Sequence, residues 1–137
     1  MKIKFIKFND DVKIPFAAHY NDSGLDCFAL DDHKLKQFKP VLIPLGFGIS
    51  LPDGIECQLR GRSSNNIKGI ITQFGTIDSG YRGEIKACLI NLTPDDILIK
   101  KGDKVCQLVF SSFVQVDLVE ELNNDRKEGG FGSTGRW

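Results

Sequence analysis

Hydrophobic positions recur along the chain in short runs with a period of two. The clearest run is Ile55–Arg60, in which Ile55, Cys57 and Leu59 would share one face of a strand. Other strand-like runs cover residues 2–8, 85–90, 96–100, 105–113 and 114–119. No stretch keeps a helical period over three turns, and the one helix signal predicts a short turn after Ser63–Asn66.

Turn-forming residues separate these runs. They lie at residues 21–24, 52–54, 78–80, 93–96 and 101–103, where Asn, Asp, Pro and Gly cluster. Many short strands at close spacing are typical of β-sandwiches and barrels. The pattern therefore predicts an all-β fold, a jelly-roll-like barrel or sandwich of many short strands.

The last fifteen residues, NNDRKEGGFGSTGRW, have a different character. Four glycines in this segment leave nothing that would form a strand or helix of its own. Such tails are usually solvated termini, but Arg126 and Phe131 suit an arm that closes over a ligand. We expect a β-domain over residues 1–122 and a flexible, Gly-rich arm over residues 123–137.

Composition narrows the class of protein. The chain has 137 residues, the size of one domain. Its 18 basic and 18 acidic residues cancel, so no global positive field exists to attract nucleic acid. The start of the chain lacks the apolar core of a signal peptide, and no run is long enough to span a membrane. The four cysteines have no zinc spacing and read as small buried hydrophobes of a cytoplasmic protein.

Several polar residues could carry chemistry, although none is specific alone. Arg62, Ser63 and Ser64 follow a strand and offer guanidinium and hydroxyl donors to a phosphate. Asp78 in Ile-Asp-Ser-Gly is more often a turn residue than a catalytic one. The segment GFGSTG at 130–135 matches G-x-G-x-x-G, but the chain ends two residues later, which rules out a dinucleotide fold.

Five segments taken together are far more specific. In order they are SGLD at 23–26, GRSS at 61–64, GTIDSGYRGE at 75–84, KGDKVCQLV at 101–109 and RKEGGFGSTG at 126–135. This order resembles the five motifs of the trimeric dUTPase family, from about Ile3 to the C-terminus. The resemblance implies a jelly roll, a homotrimer with active sites at subunit interfaces, and Mg²⁺-assisted hydrolysis of dUTP to dUMP and pyrophosphate. It also implies the family's role, which is to limit uracil in DNA and to supply dUMP for dTMP synthesis.

The resemblance also implies residue roles. Asp78 would be the catalytic base that takes a proton from the attacking water, and Tyr81 would pack beneath the deoxyribose. Residues 69–76 would form a hairpin that reads uracil through its backbone, with Gly75 and Ile77 among the substrate-binding residues. Asp26 would help to hold Mg²⁺ through water. The remaining substrate-binding residues would be Arg62, Ser63, Ser64 and Gln107 for the phosphates, with Arg126, Phe131, Gly132, Ser133 and Thr134 in the arm.

The chain departs from the family pattern at a few positions. Gly61 stands where the family usually has proline, and Asn65 and Asn66 replace small and apolar residues. The tip of the expected hairpin, at residues 73–74, has no clear counterpart in the family.

The sequence leaves two alternatives open. A dCTP deaminase shares the fold and the Ile-Asp-x-Gly turn, but that family carries a catalytic glutamate on the next strand. Residues 85–90 contain no carboxylate, and Cys88 lies near the expected position. The other alternative is a protein of this fold that acts as a regulatory binding partner.

Overall fold

Eleven short strands and one turn of helix form in residues 1–121, which are the residues that the computed structural model describes. The strands are β1 (Lys4–Lys7), β2 (Gly24–Phe28), β3 (His33–Leu35), β4 (Val41–Pro44), β5 (Phe47–Ser50), β6 (Ile55–Arg60), β7 (Ile70–Thr72), β8 (Gly75–Ile77), β9 (Lys86–Asn91), β10 (Ile97–Ile99) and β11 (Lys104–Ser112). The helix α1 spans Ser63–Asn66, so the helical turn comprises these residues instead of following them. A helix of one turn cannot cross a bilayer, and no longer helix occurs within residues 1–121.

The strands pair in four antiparallel sheets. The largest has the order β2-β11-β6-β8, and the next is β4-β9-β7; β1 pairs with β5, and β3 pairs with β10. One hydrophobic cluster draws from both larger sheets, with Cys57 and Leu59 on one side and Ala87 and Leu89 on the other. The predicted all-β, jelly-roll-like fold is confirmed, as a sandwich without a closed barrel among the described strands.

Strand β6 shows why the sequence folds this way. Cys57 and Leu59 are buried, while Arg60 at the end of the strand is exposed, so the predicted alternation is confirmed. Strand β6 lies between β11 and β8, and its outward face therefore carries polar side chains at the centre of the largest sheet.

The prediction of a strand at residues 114–119 is wrong. This segment forms no strand, and its apolar side chains are exposed, with Val114 at 83% and Leu118 at 95%. A strand is stable only when a neighbouring strand satisfies its backbone groups. Within residues 1–121, no strand is paired with this segment.

A β-bulge interrupts the pairing of β11 with β2. Lys104 lies opposite Phe28 and Cys106 lies opposite Cys27, so β11 has one extra residue at Val105. Val105 and Cys106 are consecutive and both fully buried, which reverses the alternation of the strand. Lys104 therefore faces outward instead of into the core.

The prediction of buried cysteines is confirmed for three of the four. All four are free thiols, three are buried, and Cys88 is half-buried. A hydrogen bond with Cys106, together with burial, raises the pKa of Cys27 well above its ordinary value. Burial raises the pKa of Cys57 to about 12.

Candidate active site

A polar cavity of about 530 Å³ opens where β2, β11 and the end of β6 meet. Its lining brings together the first, second and fourth motifs of the sequence. The lining residues that carry polar side chains are His19, Asp22, Ser23, Asp26, Arg60, Arg62, Ser63, Ser64, Lys104 and Gln107. Four of the predicted phosphate-binding residues thus lie together, beside the carboxylate predicted for Mg²⁺.

Asp26 is the buried charge of this cavity. It is 8% exposed, and each of its carboxylate oxygens faces a cation. Arg62 Nε lies 3.3 Å from Oδ1, and Lys104 Nζ lies 3.1 Å from Oδ2. A carboxylate loses its hydration on burial, and close cations offset that cost.

Gln107 connects three chain segments at the cavity wall. It lies opposite Asp26 on β2 and opposite Arg60 on β6. Its Nε2 donates a hydrogen bond to the carbonyl oxygen of Gly61 at 2.9 Å. A Cβ at Gly24 would lie only 2.0 Å from Gln107 Oε1, so any larger residue there would force the Gln107 side chain to move. Gln107 therefore helps to fix the loop that presents Arg62.

In the loop from Gly61 to Ser64, the backbone changes from extended to helical, and this change exposes the hydroxyl donors of the two serines. Arg62 is extended, with φ −102° and ψ 138°, and directly precedes helix α1. The backbone N–H groups of Asn65 and Asn66 donate to the Arg62 carbonyl at 3.0 Å each, which closes the turn. Ser63 and Ser64 are thereby left exposed at the mouth of the cavity.

The third motif lies apart from this cavity. Gly75 and Ile77 lie in β8, where they pair with Leu59 and Cys57 of β6. Asp78 follows β8 and is exposed, and its backbone carbonyl accepts a hydrogen bond from the backbone N–H of Tyr81 at 3.1 Å.

Tyr81 is held by its own loop. Its hydroxyl donates to the carbonyl of Glu84 at 2.7 Å, and its side chain is 47% exposed. A Cβ at Gly83 would lie 2.6 Å from that hydroxyl, so the loop closes tightly against the ring. The contact holds an exposed aromatic ring beside Asp78.

The direction of the strands sets the distance between Asp78 and the polar cavity. Because β8 runs antiparallel to β6, Asp78 lies at the level of Glu56, four residues along β6 from Arg60. At roughly 3.3 Å per residue, that separation is about 13 Å along the strand. Among the described residues that line the cavity, neither Asp78 nor Tyr81 occurs. One chain therefore does not bring the predicted base to the predicted phosphate site.

The hairpin predicted at residues 69–76 does not form. Strand β7 pairs with β9 and strand β8 pairs with β6, so the two strands belong to different sheets. The segment between them crosses from one sheet to the other, and the Gln73 N–H donates to the Cys88 carbonyl at 2.8 Å. The sequence suggests a hairpin because the two runs are close along the chain, but pairing depends on the neighbours that the sandwich supplies.

Two cations of the cavity were not predicted from the sequence. Arg60 could have been found from the outward phase of the alternation in β6. Lys104 could not, because regular alternation from the buried Cys106 would point it into the core. Only the bulge at Val105 turns Lys104 outward.

Metal binding would rest on Asp26. Residues 1–121 contain no group of three or more His, Cys, Asp or Glu side chains that could hold an ion by themselves. A single carboxylate suits Mg²⁺ that is held mainly by phosphate oxygens and water. The predicted arm residues Arg126, Phe131, Gly132, Ser133 and Thr134 lie outside the described residues.

Comparison with known proteins identifies the family. The dUTPase family model matches residues 10–135. The deoxyuridine 5'-triphosphate nucleotidohydrolase of Hydrogenobaculum sp. (strain Y04AAS1) is 44% identical, over 98% of this chain and 99% of its own. That of Clostridium kluyveri is 43% identical, with the same shares covered.

Solved structures agree in fold. A dUTPase of Staphylococcus bacteriophage 80alpha, determined with dUpNHpp, has a TM-score of 0.85 at 23% identity, over 98% of this chain and 99% of its own. A dUTPase of phage phi11 of S. aureus, with a structural Mg(II) ion, has a TM-score of 0.83 at 20% identity, over 92% of this chain and 99% of its own. The chain therefore belongs to the dUTPase family, and it is a dUTP diphosphatase that hydrolyses dUTP to dUMP.

Proposed function

We propose that the enzyme cleaves dUTP at the α-phosphorus and releases pyrophosphate, with Asp78 as the base that activates the attacking water. The observation that carries this proposal is the cavity in which Arg62, Ser63, Ser64 and Gln107 surround a paired buried carboxylate. Guanidinium and hydroxyl donors in one cavity suit a chain of phosphates. Asp78 is an exposed carboxylate, and a carboxylate within reach of the attacking water can act as a general base.

The active site is shared between the subunits of a homotrimer. The separation of Asp78 from the cavity along β6 supports this arrangement, since a base must reach its water within hydrogen-bond distance. In a closed ring of three subunits, the Asp78 end of one chain can meet the cavity of the next. Each interface would then complete one site.

Asp78 and Tyr81 form the nucleoside half of the site. The exposed Tyr81 ring, anchored through its hydroxyl, offers a flat apolar face on which a deoxyribose can pack. A sugar that packs this closely leaves no room for a 2′-hydroxyl. Gly75 and Ile77, at the approach to Asp78, are the described residues that we assign to contacts with the uracil nucleoside.

The residues present fit Mg²⁺ as a companion of the triphosphate. Asp26 would supply one carboxylate, acting through water. Phosphate oxygens and further water molecules would supply the remaining ligands of the ion. When bound, the ion neutralises phosphate charge. The chain's own part is to orient the triphosphate through Arg62, Ser63 and Gln107.

The arm of residues 123–137 closes over the bound nucleotide. In this proposal Arg126 contacts the γ-phosphate, Phe131 stacks on uracil, and Gly132, Ser133 and Thr134 add phosphate contacts. The enzyme acts in the cytoplasm, where it limits uracil incorporation into DNA and supplies dUMP for dTMP synthesis. These assignments rest on family membership.

Pyrophosphate release from dUTP, dCTP, dTTP and UTP, with and without Mg²⁺, tests the substrate. We expect rapid release from dUTP with Mg²⁺ and little from the others. Ammonia release from dCTP at a comparable rate would favour the deaminase. Absence of turnover with every nucleotide would favour a binding role.

Deleting residues 124–137 tests the arm. The truncated protein should keep its circular dichroism spectrum and its trimeric mass while pyrophosphate release falls by at least about 100-fold, since it loses several transition-state contacts. Unchanged activity in this variant would show that the segment is only a solvated terminus.

A further inference from the structure

We propose that Lys104 is a further substrate-binding residue, held against Asp26 in the free enzyme and transferred to the triphosphate when dUTP binds. The inference rests on the proposed location of the triphosphate in the cavity.

The β-bulge determines where Lys104 points. Cys106 is fully buried, and in an unbroken strand the residue two positions earlier would share its face. The extra residue at Val105 changes this phase, so Lys104 joins Gln107 and Asp26 on the outer face of the sheet. Bulges often re-aim a side chain next to a functional site.

Two side chains brace the bulge from outside the strand. Asn65 Nδ2 donates to the carbonyl of Lys104 at 3.1 Å, and Thr72 Oγ1 donates to the carbonyl of Val105 at 3.2 Å. Both donors are buried. Asn65 directly follows Ser64, so the loop that carries the predicted phosphate donors also fixes the backbone of Lys104. The two segments are thus positioned as one unit.

Lys104 is the more easily released of the two cations on Asp26. Its side chain is 34% exposed, against 25% for Arg62, and it meets Asp26 through a compact ammonium on a flexible stem. Arg62 instead precedes helix α1, and its backbone carbonyl is held by two N–H groups. A phosphate oxygen entering the cavity can therefore attract Lys104 without moving the backbone.

The charge of the cavity supports the same assignment. The cavity lining contains three cations, which are Arg60 and the two that contact Asp26. The carboxylates of the lining are Asp22 and Asp26. The Asp22 carboxylate already has a neighbouring partner, because its Oδ2 accepts a hydrogen bond from the backbone N–H of His19 at 2.9 Å. A triphosphate carries several negative charges, so a cation that leaves Asp26 gains a stronger partner.

Binding of the non-hydrolysable analogue α,β-imido-dUTP, measured by titration calorimetry beside dUMP, tests the role. In Lys104→Met, the dissociation constant of the analogue should rise by about 10- to 100-fold, since a charge-assisted hydrogen bond is lost. Binding of dUMP, which lacks the outer phosphates, should not change. Lys104→Arg should restore analogue binding, because it restores a cation.

Lys101→Met is the matched control. Lys101 is three residues away and exposed, and its ammonium lies 4.0 Å from the exposed Asp11, outside the cavity. This variant should bind both ligands like the wild type. If Lys104→Met does not fold, Lys104→Gln gives the same test with a side chain that keeps polar character.

The variant Asp26→Asn, used as a background, distinguishes two roles of Lys104: contact with the phosphates, or positioning of the Asp26 carboxylate. If Lys104 binds phosphate, Lys104→Met still weakens analogue binding when Asp26 is already replaced. Loss of the effect in that background, or wild-type affinity in Lys104→Met alone, overturns the inference. Failure of the wild type to bind the analogue or to release pyrophosphate from dUTP would instead contradict the proposed function.

Discussion

The two aspartates assigned to the site, Asp26 and Asp78, have very different surroundings. Asp26 is buried and lies between two cations, whereas Asp78 is exposed in a turn. The first arrangement fixes a carboxylate in place, and the second leaves one available to a water molecule. Both residues were predicted from the resemblance to the family motifs, but only their surroundings distinguish a paired, buried carboxylate from a candidate base.

Asp78→Asn should keep nucleotide binding and lose turnover. The amide has nearly the shape of the carboxylate but cannot accept the proton, so kcat should fall by roughly 10²- to 10⁴-fold. The measurement is steady-state pyrophosphate release together with calorimetric binding of α,β-imido-dUTP. Asp53→Asn, at an exposed turn before β6, is the control; normal kcat in Asp78→Asn would remove Asp78 from the mechanism.

The thiols should differ sharply in reactivity. Because burial raises the pKa of Cys57 to about 12, its thiolate fraction at pH 8 falls on the order of 10³-fold below that of an ordinary thiol. The pKa of Cys27 is also raised. Iodoacetamide at pH 8, read by mass spectrometry, should modify only half-buried Cys88 in the folded protein and all four cysteines in urea. Rapid labelling of Cys57 in the folded protein would contradict this environment.

At the scale of elements, the site depends on how strand ends meet. Three strands meet at one cavity wall: β2 contributes Asp26, β6 contributes Arg60 at its end, and β11 contributes Gln107. The bulge in β11 then adds Lys104. Gln107 holds these elements at their closest approach, where it faces Gly24 and donates to Gly61.

Gly24→Ala tests this contact. The new Cβ would lie 2.0 Å from Gln107 Oε1, so the glutamine must move and its hydrogen bond to Gly61 is lost. Overpacking of this kind should lower the free energy of unfolding by about 1–3 kcal/mol, measured by urea denaturation, and should raise KM for dUTP.

A double variant supplies the comparison for that effect. In a Gln107→Ala background the clash with Oε1 is removed and only the 3.2 Å contact with the Cβ of residue 107 remains, so Gly24→Ala should cost less free energy of unfolding. Equal costs in both backgrounds would show that the strain arises elsewhere than at Gln107.

At the scale of the whole molecule, the two halves of the site lie at different places on one sheet. The polar cavity is at the Arg60 end of β6, and Asp78 is at the Glu56 end. In the homotrimer that we propose, a shared site would join these ends across an interface. The proposal can be tested without a structure of the complex.

Mixed trimers provide this test. Asp78→Asn and Arg62→Ala should each be nearly inactive, but denaturing and refolding them together should restore activity at sites that combine an intact Asp78 with an intact Arg62 from different chains. Random assembly would restore roughly a quarter of the sites. The assay is pyrophosphate release after refolding. A site formed within one chain would give no recovery, because every chain lacks one residue.

The sequence by itself determined the fold class, the clearest strands and the family. These features depend on local information: alternation in Ile55–Arg60, turn residues such as those at 52–54 and 101–103, and five ordered motifs. It also identified Arg62, Ser63, Ser64, Gln107 and Asp26, which the structure brings into one cavity.

Tertiary structure decided what depends on contacts between distant segments. Pairing partners assigned β7 and β8 to different sheets and left residues 114–119 without a strand in the described part of the chain. The bulge at Val105 turned Lys104 towards Asp26, because one extra residue reverses which side chains face the core. Such reversals depend on the register with a neighbouring strand, and the residues of one strand alone do not specify that register.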